Sequence, residues 1–262
     1  MDAIPGKTLA ALIALALLWF LEGWIPFFAD FNERGRRLPH AGRNLAVGAF
    51  NALVLGALFA GVMVLAAGRA RAAGFGLLPR LGLPAPAEAL AAFLLFDAWM
   101  YLWHRINHLV PFLWRFHRVH HSDPRMDVTS AVRFHPVEIA LSFLSRLLVV
   151  PLLGMALWHL ALYESVLLPV ILLHHSNLAL SPRLDAALRR VIVSPDMHRV
   201  HHSDLPAETD SNYASVFSWW DRLFGTHRRR EEVRGIRYGL KEFADERWHT
   251  LGGILSTPFR RK

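Results

Sequence analysis

Four apolar stretches organise the chain. Leu9 to Phe28, Leu45 to Ala67 and Ala87 to His104 are each long enough for a helix that crosses a bilayer, which takes about 20 apolar residues. The fourth, Val137 to Leu173, is interrupted by Arg146, Pro151, Gly154, Glu164 and Pro169. As helix it reaches about 55 Å, slightly short of two crossings of a core about 30 Å thick, so a tilted or partly inserted hairpin is expected. The pattern predicts an all-α integral membrane bundle of about four to five membrane segments. Leu9 to Phe28 follows a single basic residue, Lys7, and lacks a small-x-small cleavage site, so it is expected to stay as a helix with Glu22 and Pro26 near its far end.

Composition agrees with this reading. The chain has 262 residues, 53% of them hydrophobic, and its mean hydropathy is positive, which is more apolar than an ordinary soluble domain. Net charge is +8. The basic residues gather in Arg34 to Arg43, read as a loop, and in the tail beyond Asn177. Next to hydrophobic spans, such residues meet anionic lipid head groups, so membrane lipids and not nucleic acid are the expected partners. The positive-inside tendency puts both segments, and the histidines near them, on the cytoplasmic side, although Arg69 to Arg80 adds three arginines elsewhere.

There are no cysteines, which excludes disulfides, cysteine-held zinc, iron–sulfur clusters and thiolate-bound haem within this chain. No glycine fingerprint for a dinucleotide is present, because Gly74, Gly76 and Gly82 have the wrong spacing. Any electrons the protein uses must come from a separate donor protein.

Histidine is the abundant chemical resource. The string His-x-x-His-His occurs twice, at His117, His120 and His121 and again at His198, His201 and His202, with Ser122 and Ser203 behind each block. His104 and His108 form a further pair one helical turn apart. Residues three and four apart share a helix face, so each block is expected to converge on one point. Ser194 and Pro195 read as the cap and first residue of a helix carrying the second block. Three helical clusters facing one another are how bundles build metal sites. Eight to ten imidazoles shared by two ions give four or five each, which leaves an open position and implies chemistry, with iron the expected occupant. Zinc is able to replace it during purification. Asp97, Tyr101, His104 and His108 form one stripe, so Asp97 is expected to accept a hydrogen bond from a ligating imidazole. His40, His159, His227 and His249 stand alone and are read as packed or solvated residues.

Several of these elements together resemble the fatty acid hydroxylase superfamily, also called the sterol desaturase family. They are Asp97 to His108, Phe116 to Ser122, Arg133 to Pro136, His175 to Asn177, Ser194 to Ser203, and Trp220 to Thr226 with its Trp-Asp-x-x-Phe-Gly-Thr close. The resemblance covers about residues 90 to 230. It implies three segments: N-terminal transmembrane helices at 1–86, a catalytic domain at 87–230 with a cytoplasmic, helical, histidine-rich dimetal cap, and a basic tail at 231–262. It also implies a membrane-bound, non-haem diiron oxygenase that uses O2 and external electrons to hydroxylate, desaturate or cleave a lipid such as a sterol or fatty-acyl compound.

By position, the resemblance makes His104, His108, His117, His120, His121, His175, His198, His201 and His202 metal ligands, with His135 and His174 as further candidates. Asn212 and Asp221 would brace the site. Alternatives on the same residues are ether-lipid or carotenoid oxygenation, or a non-catalytic membrane metal-binding or transport protein. Transport sites usually lie near the bilayer midplane, whereas most of these histidines lie beyond the span ends.

Overall fold

The computed structural model describes residues 3–32 and 34–260, and among them every regular element is a helix, joined by loops that carry a few isolated bridges. Helix α1 is Ala3–Trp24; α2, Arg34–Phe50, runs through a π-helical turn, Asn51–Leu55, into α3, Gly56–Ala72; α4 is Leu77–Leu81. Then follow α5 (Ala85–Leu109), α6 (Pro111–His121), α7 (Pro136–Leu153), α8 (Leu157–His175), α9 (Pro182–Leu188) and α10 (Pro195–His201). Four helical runs are long and apolar enough to cross a membrane, Gly35–Leu81, Ala85–Leu109, Pro136–Leu153 and Leu157–His175, and Thr8–Trp24 is a shorter apolar helix. Leu12, Leu53, Leu58, Leu148 and Leu152 stand exposed on them, as lipid-facing residues do.

Proline sets most of the boundaries. Pro111, Pro136, Pro182 and Pro195 each open a helix, where the missing N–H costs nothing. Pro111 also stops α5, because its ring excludes helical backbone at the residue before it. The chain turns there, so that α6 packs back on α5 and brings His117 and His121 to His104 and His108.

The awkward fourth stretch is a helical hairpin. Gly154 ends α7 with φ 70°, and a side chain there would strike Pro79, while one on Gly76 would meet the Gly154 backbone at 2.4 Å. Glycine at both positions lets the α7–α8 turn dock on the turn before α4. Arg146 of α7 pairs with Glu164 of α8 at 3.3 Å, so these two charges of the hairpin neutralise each other. Around it packs the main apolar core, with Met63, Phe96, Val150, Tyr163 and Leu167.

One expectation is corrected here. The segment Arg34 to Arg43 is helix, not loop, despite Pro39. Its inner face carries His40, Asn44, Val47 and Asn51, all buried and spaced at helical intervals. His40 lies between Asp123 and Asp127 at 2.8 and 3.0 Å, and Asn44 donates to Thr129 at 3.1 Å, so tertiary hydrogen bonds hold a helix that propensity disfavours.

Five elements end on one side. Glu22 near the end of α1 accepts from the backbone N–H groups of Val128 and Asn177, the start of α2 meets Asp123 through His40, and α5, α7 and α8 bring His104, Glu138 and His175 to the same place. The turns at Gly76 and Gly154 lie at the opposite end of these helices. Residues 231–260 return to the histidine side, where Arg118 donates to the Thr257 carbonyl at 2.8 Å.

Candidate metal centre

Nine buried or half-buried histidines fall into two groups. His104, His108, His117, His121 and His201 form one, and His120, His175, His198 and His202 the other, with each group's donor nitrogens within 4.8 Å of one another. Each repeated block is divided between them. On α6 an i, i+4 pair is separated by 400°, only 40° from alignment, while i+3 lies 60° to the other side. His117 and His121 therefore share one group and His120 turns to the other; on α10, His198 and His202 pair and His201 crosses over. The expectation that each block converges on one point is thus corrected: the blocks exchange one histidine each.

Backbone carbonyls fix the tautomers. The Nδ1–H of His104 donates to Tyr213 O at 2.8 Å, that of His201 to Ser211 O at 2.7 Å, and that of His175 to Ile171 O at 2.8 Å. Their Nε2 atoms are consequently bare lone pairs. His117 is held by the Glu138 carboxylate at 2.6 Å, and His108 by Asp210 at 3.2 Å.

These lone pairs face one another. His104 Nε2 is 3.2 Å from His117 Nε2, which is 3.2 Å from His121 Nε2. In the second group His175 Nε2 is 3.0 Å from both His120 Nε2 and His198 Nε2, and His202 Nε2 is 3.1 Å from His198 Nε2. The bare Nε2 atoms of His104 and His117 repel at this distance unless a cation lies between them. Neighbouring ligands on an ion with bonds of about 2.1 Å sit about 3.0 to 3.4 Å apart, which is the spacing found. The Nε2 atoms of His108 and His201 are buried with no hydrogen-bond partner, which also suits metal donors. Burial holds His201 down at about 3 and pushes His120, His121, His198 and His202 well below the usual imidazole range, so they stay neutral, the form that ligates.

His174 and His135 stand outside both groups. His174 packs on His198 with ring centroids 4.0 Å apart, and neither of its nitrogens has a partner. His135 spends both nitrogens on the backbone, Nδ1 accepting from Val137 N–H and Nε2 donating to Leu255 O at 3.3 Å.

The expected role of Asp97 is also corrected. It touches no imidazole. It accepts from the Tyr163 hydroxyl at 2.7 Å, from Trp220 Nε1 at 2.8 Å and from Phe217 N–H at 3.1 Å, so it ties α5 to α8 and to the short helix Trp219–Leu223. Asp221 accepts from the N–H groups of Tyr213 and Ala214, at 2.7 and 3.0 Å, and from Thr226 Oγ1. Asn212 has φ 53° and bonds to Met197 O and Arg228 O through Nδ2. Both hold the loop whose carbonyls, at Ser211 and Tyr213, orient His201 and His104. Glu138 and Asp210 were not anticipated. An acid at the mouth of an apolar helix marks Glu138 in retrospect, since ionisable groups in spans are costly.

A cavity of about 160 Å³ adjoins both groups. It runs from His104, His117, His120, His174, His175 and His198 between α5, α7 and α8, past Trp103, Ile139, Ser142, Arg146, Leu167 and Ile171. Phe134 stacks on His120 at its edge, 4.3 Å between centroids.

The sequence profile of the fatty acid hydroxylase family matches residues 89–226, more than half of the chain. The chain belongs to the fatty acid hydroxylase family. It is similar to the ornithine lipid hydroxylase OlsE of Rhizobium tropici, 33% identical over 127 residues, which are 48% of this chain and 38% of that protein. Alkylglycerol monooxygenase of Danio rerio is 31% identical over 156 residues, 57% of this chain and 32% of the relative. Cholesterol 25-hydroxylase of Rattus norvegicus is 26% identical over 150 residues, 54% and 47% respectively. The chain thus spans roughly a third to a half of the length of these relatives. No solved structure matches the chain.

Proposed function

We propose that this fatty acid hydroxylase family member is a membrane-bound diiron oxygenase that inserts one atom of O2 into an amphipathic lipid. The balance is RH + O2 + 2e⁻ + 2H⁺ → ROH + H2O, with the electrons from a separate donor protein. The observation that carries this reading is the pair of convergent imidazole groups opening on a cavity between apolar helices. Named relatives that are lipid hydroxylases or monooxygenases support the same reaction class. When bound, two iron ions would supply the reductive activation of dioxygen.

The chain's own residues do the rest. His104, His108, His117, His121 and His201 would hold one ion, and His120, His175, His198 and His202 the other. The carbonyls of Tyr213, Ser211 and Ile171, with the carboxylates of Glu138 and Asp210, keep Nδ1 protonated and Nε2 free to ligate. Leu167, Ile171, Ile139 and Trp103 line the route by which a lipid reaches the histidines from the bilayer, excluding water and fixing one carbon near them. The histidine side is proposed to face the cytoplasm, because Arg36, Arg37, Arg43 and the arginine-rich segment after α8 lie there.

The test is anaerobic purification with iron, metal analysis and comparison of lipids from cells with and without the protein. Two iron ions per chain and a new oxygenated lipid, with iron lowered and the product lost in His120→Ala or His201→Ala, support the reading. Full activity in a metal-depleted double variant overturns it.

A further inference from the structure

A second recess lies on the histidine side, apart from the metal groups. Its volume is about 220 Å³, and its wall includes Arg36, His40 and Arg43 of α2, Arg125 after α6, and Glu246 and His249 near the C-terminus. Neither the Arg43 nor the Arg125 side chain pairs with a carboxylate among the described residues, and Arg125 Nη1 is buried with no partner. His249 is 5% exposed. Its Nδ1 faces Arg133 Nη2 at 3.5 Å, and a guanidinium only donates, so Nδ1 accepts and the ring proton sits on Nε2. That Nε2 is likewise buried without a partner.

The wall therefore offers donors in search of acceptors. His40 supplies no acceptor, since Asp123 and Asp127 occupy both its nitrogens. Glu246 is the one acid among the lining residues, and it is exposed. Two guanidinium groups without carboxylate partners and an imidazole N–H, arriving from three separate parts of the chain, suit an anion with several oxygens, and arginine forks favour phosphate geometry. The recess also sits on the first turns of α2, where the run Gly35–Leu81 begins, at the level where phospholipid head groups meet a span.

We propose that this recess binds a phosphate group, carried either by a phospholipid head group or by free inorganic phosphate. Buried donors without acceptors are costly, and a phosphate in the recess would bring acceptor oxygens next to the Arg43, Arg125 and His249 side chains. The site is independent of the proposed oxygenase reaction, because none of its lining residues belongs to either imidazole group.

The full-length protein tests this in two arms. In phosphate-free, non-ionic detergent, inorganic phosphate is titrated by calorimetry; in nanodiscs of phosphatidylcholine with or without phosphatidylglycerol, native mass spectrometry reads retained lipid. Arg43→Gln combined with Arg125→Gln should weaken binding about tenfold or more, with metal content unchanged. Glu246→Gln, at an exposed position, should tighten it. Saturable binding in detergent identifies free phosphate as sufficient, and retention of phospholipid alone identifies the head group. The proposal is overturned if inorganic phosphate does not bind and lipid retention is equal in wild type and both variants. Should the arginine double variant not fold, an unchanged affinity and retention in Glu246→Gln overturns it as well.

Discussion

His121 and His202, the last histidines of the two repeated blocks, stack with ring centroids 4.4 Å apart and 17° between their planes, yet they belong to different donor groups. The two groups therefore share a wall of imidazole. On either side of that wall, His120 and His202 of one group lie 4.6 Å apart, and His121 and His201 of the other 4.7 Å.

Because the blocks exchange a histidine, single substitutions should not empty whole blocks. His201→Ala removes a donor from the five-imidazole group and His198→Ala one from the other, so each is expected to lower iron from two ions per chain towards one, not to zero. Metal analysis of the two variants and the double variant checks this. Equal loss of both ions in each single variant would contradict the division.

Glu138 is expected to matter through His117. Glu138→Gln keeps the shape but removes the charge that holds Nδ1 protonated at 2.6 Å, and partners of this kind are typically worth about 10- to 100-fold in metal affinity. Metal titration should show that loss in Glu138→Gln with the helical circular dichroism spectrum unchanged. Asp210→Asn, at a longer bond and a half-exposed side chain, should have a smaller effect.

Asp97 should behave differently from the acids that touch histidines. Its carboxylate gathers three donors, one of them fully buried, and hydrogen bonds to a charged group are worth about 1.5 to 3 kcal/mol each. Asp97→Ala is expected to lower the melting temperature markedly while the folded fraction still carries its metal. Metal loss without destabilisation would restore a direct role at the centre.

Acid should loosen the metal-free protein. Burial holds His201 at about 3 and His120, His121, His198 and His202 well below the unfolded value of about 6.5. Between these values the unfolded chain binds more protons, so the stabilising contribution is complete above about pH 6.5 and is lost as pH falls towards 3. Thermal melts of chelator-treated protein should drop steadily from pH 7 to pH 4. Loading with metal should shift the loss to lower pH, since protons and metal compete for Nε2.

Much of this architecture is legible in the sequence. The three later apolar stretches mark the helices long and apolar enough to cross a membrane, whereas Leu9 to Phe28 holds only the shorter apolar helix Thr8–Trp24; Ser194 and Pro195 do open α10, and the spacing of the histidine blocks points to a shared centre. Other features depend on contacts that spacing does not encode. The stripe from Asp97 to His108 is one face of α5, but Asp97 lies two turns, about 10 Å, before His104, where it meets Tyr163 and Trp220 and no imidazole. Arg34 to Arg43 carries the charges, glycines and proline of a loop, and becomes helix because His40 and Asn44 bond to residues some 80 positions away. His135 sits in a motif beside the ligands, yet the helix cap and the returning C-terminal segment claim both of its nitrogens. Glu138 was hidden for the converse reason, as one acid in an apolar run whose partner is a histidine on another helix.

The most direct test of the account is mass spectrometry of membrane lipids after exposure of the iron-loaded protein, with a reductant, to heavy-oxygen-labelled dioxygen. The account predicts one labelled oxygen atom in a hydroxylated lipid, absent from both His120→Ala and His201→Ala. Label in those variants at the wild-type level, or no labelled lipid from fully iron-loaded and reduced wild type, would contradict it.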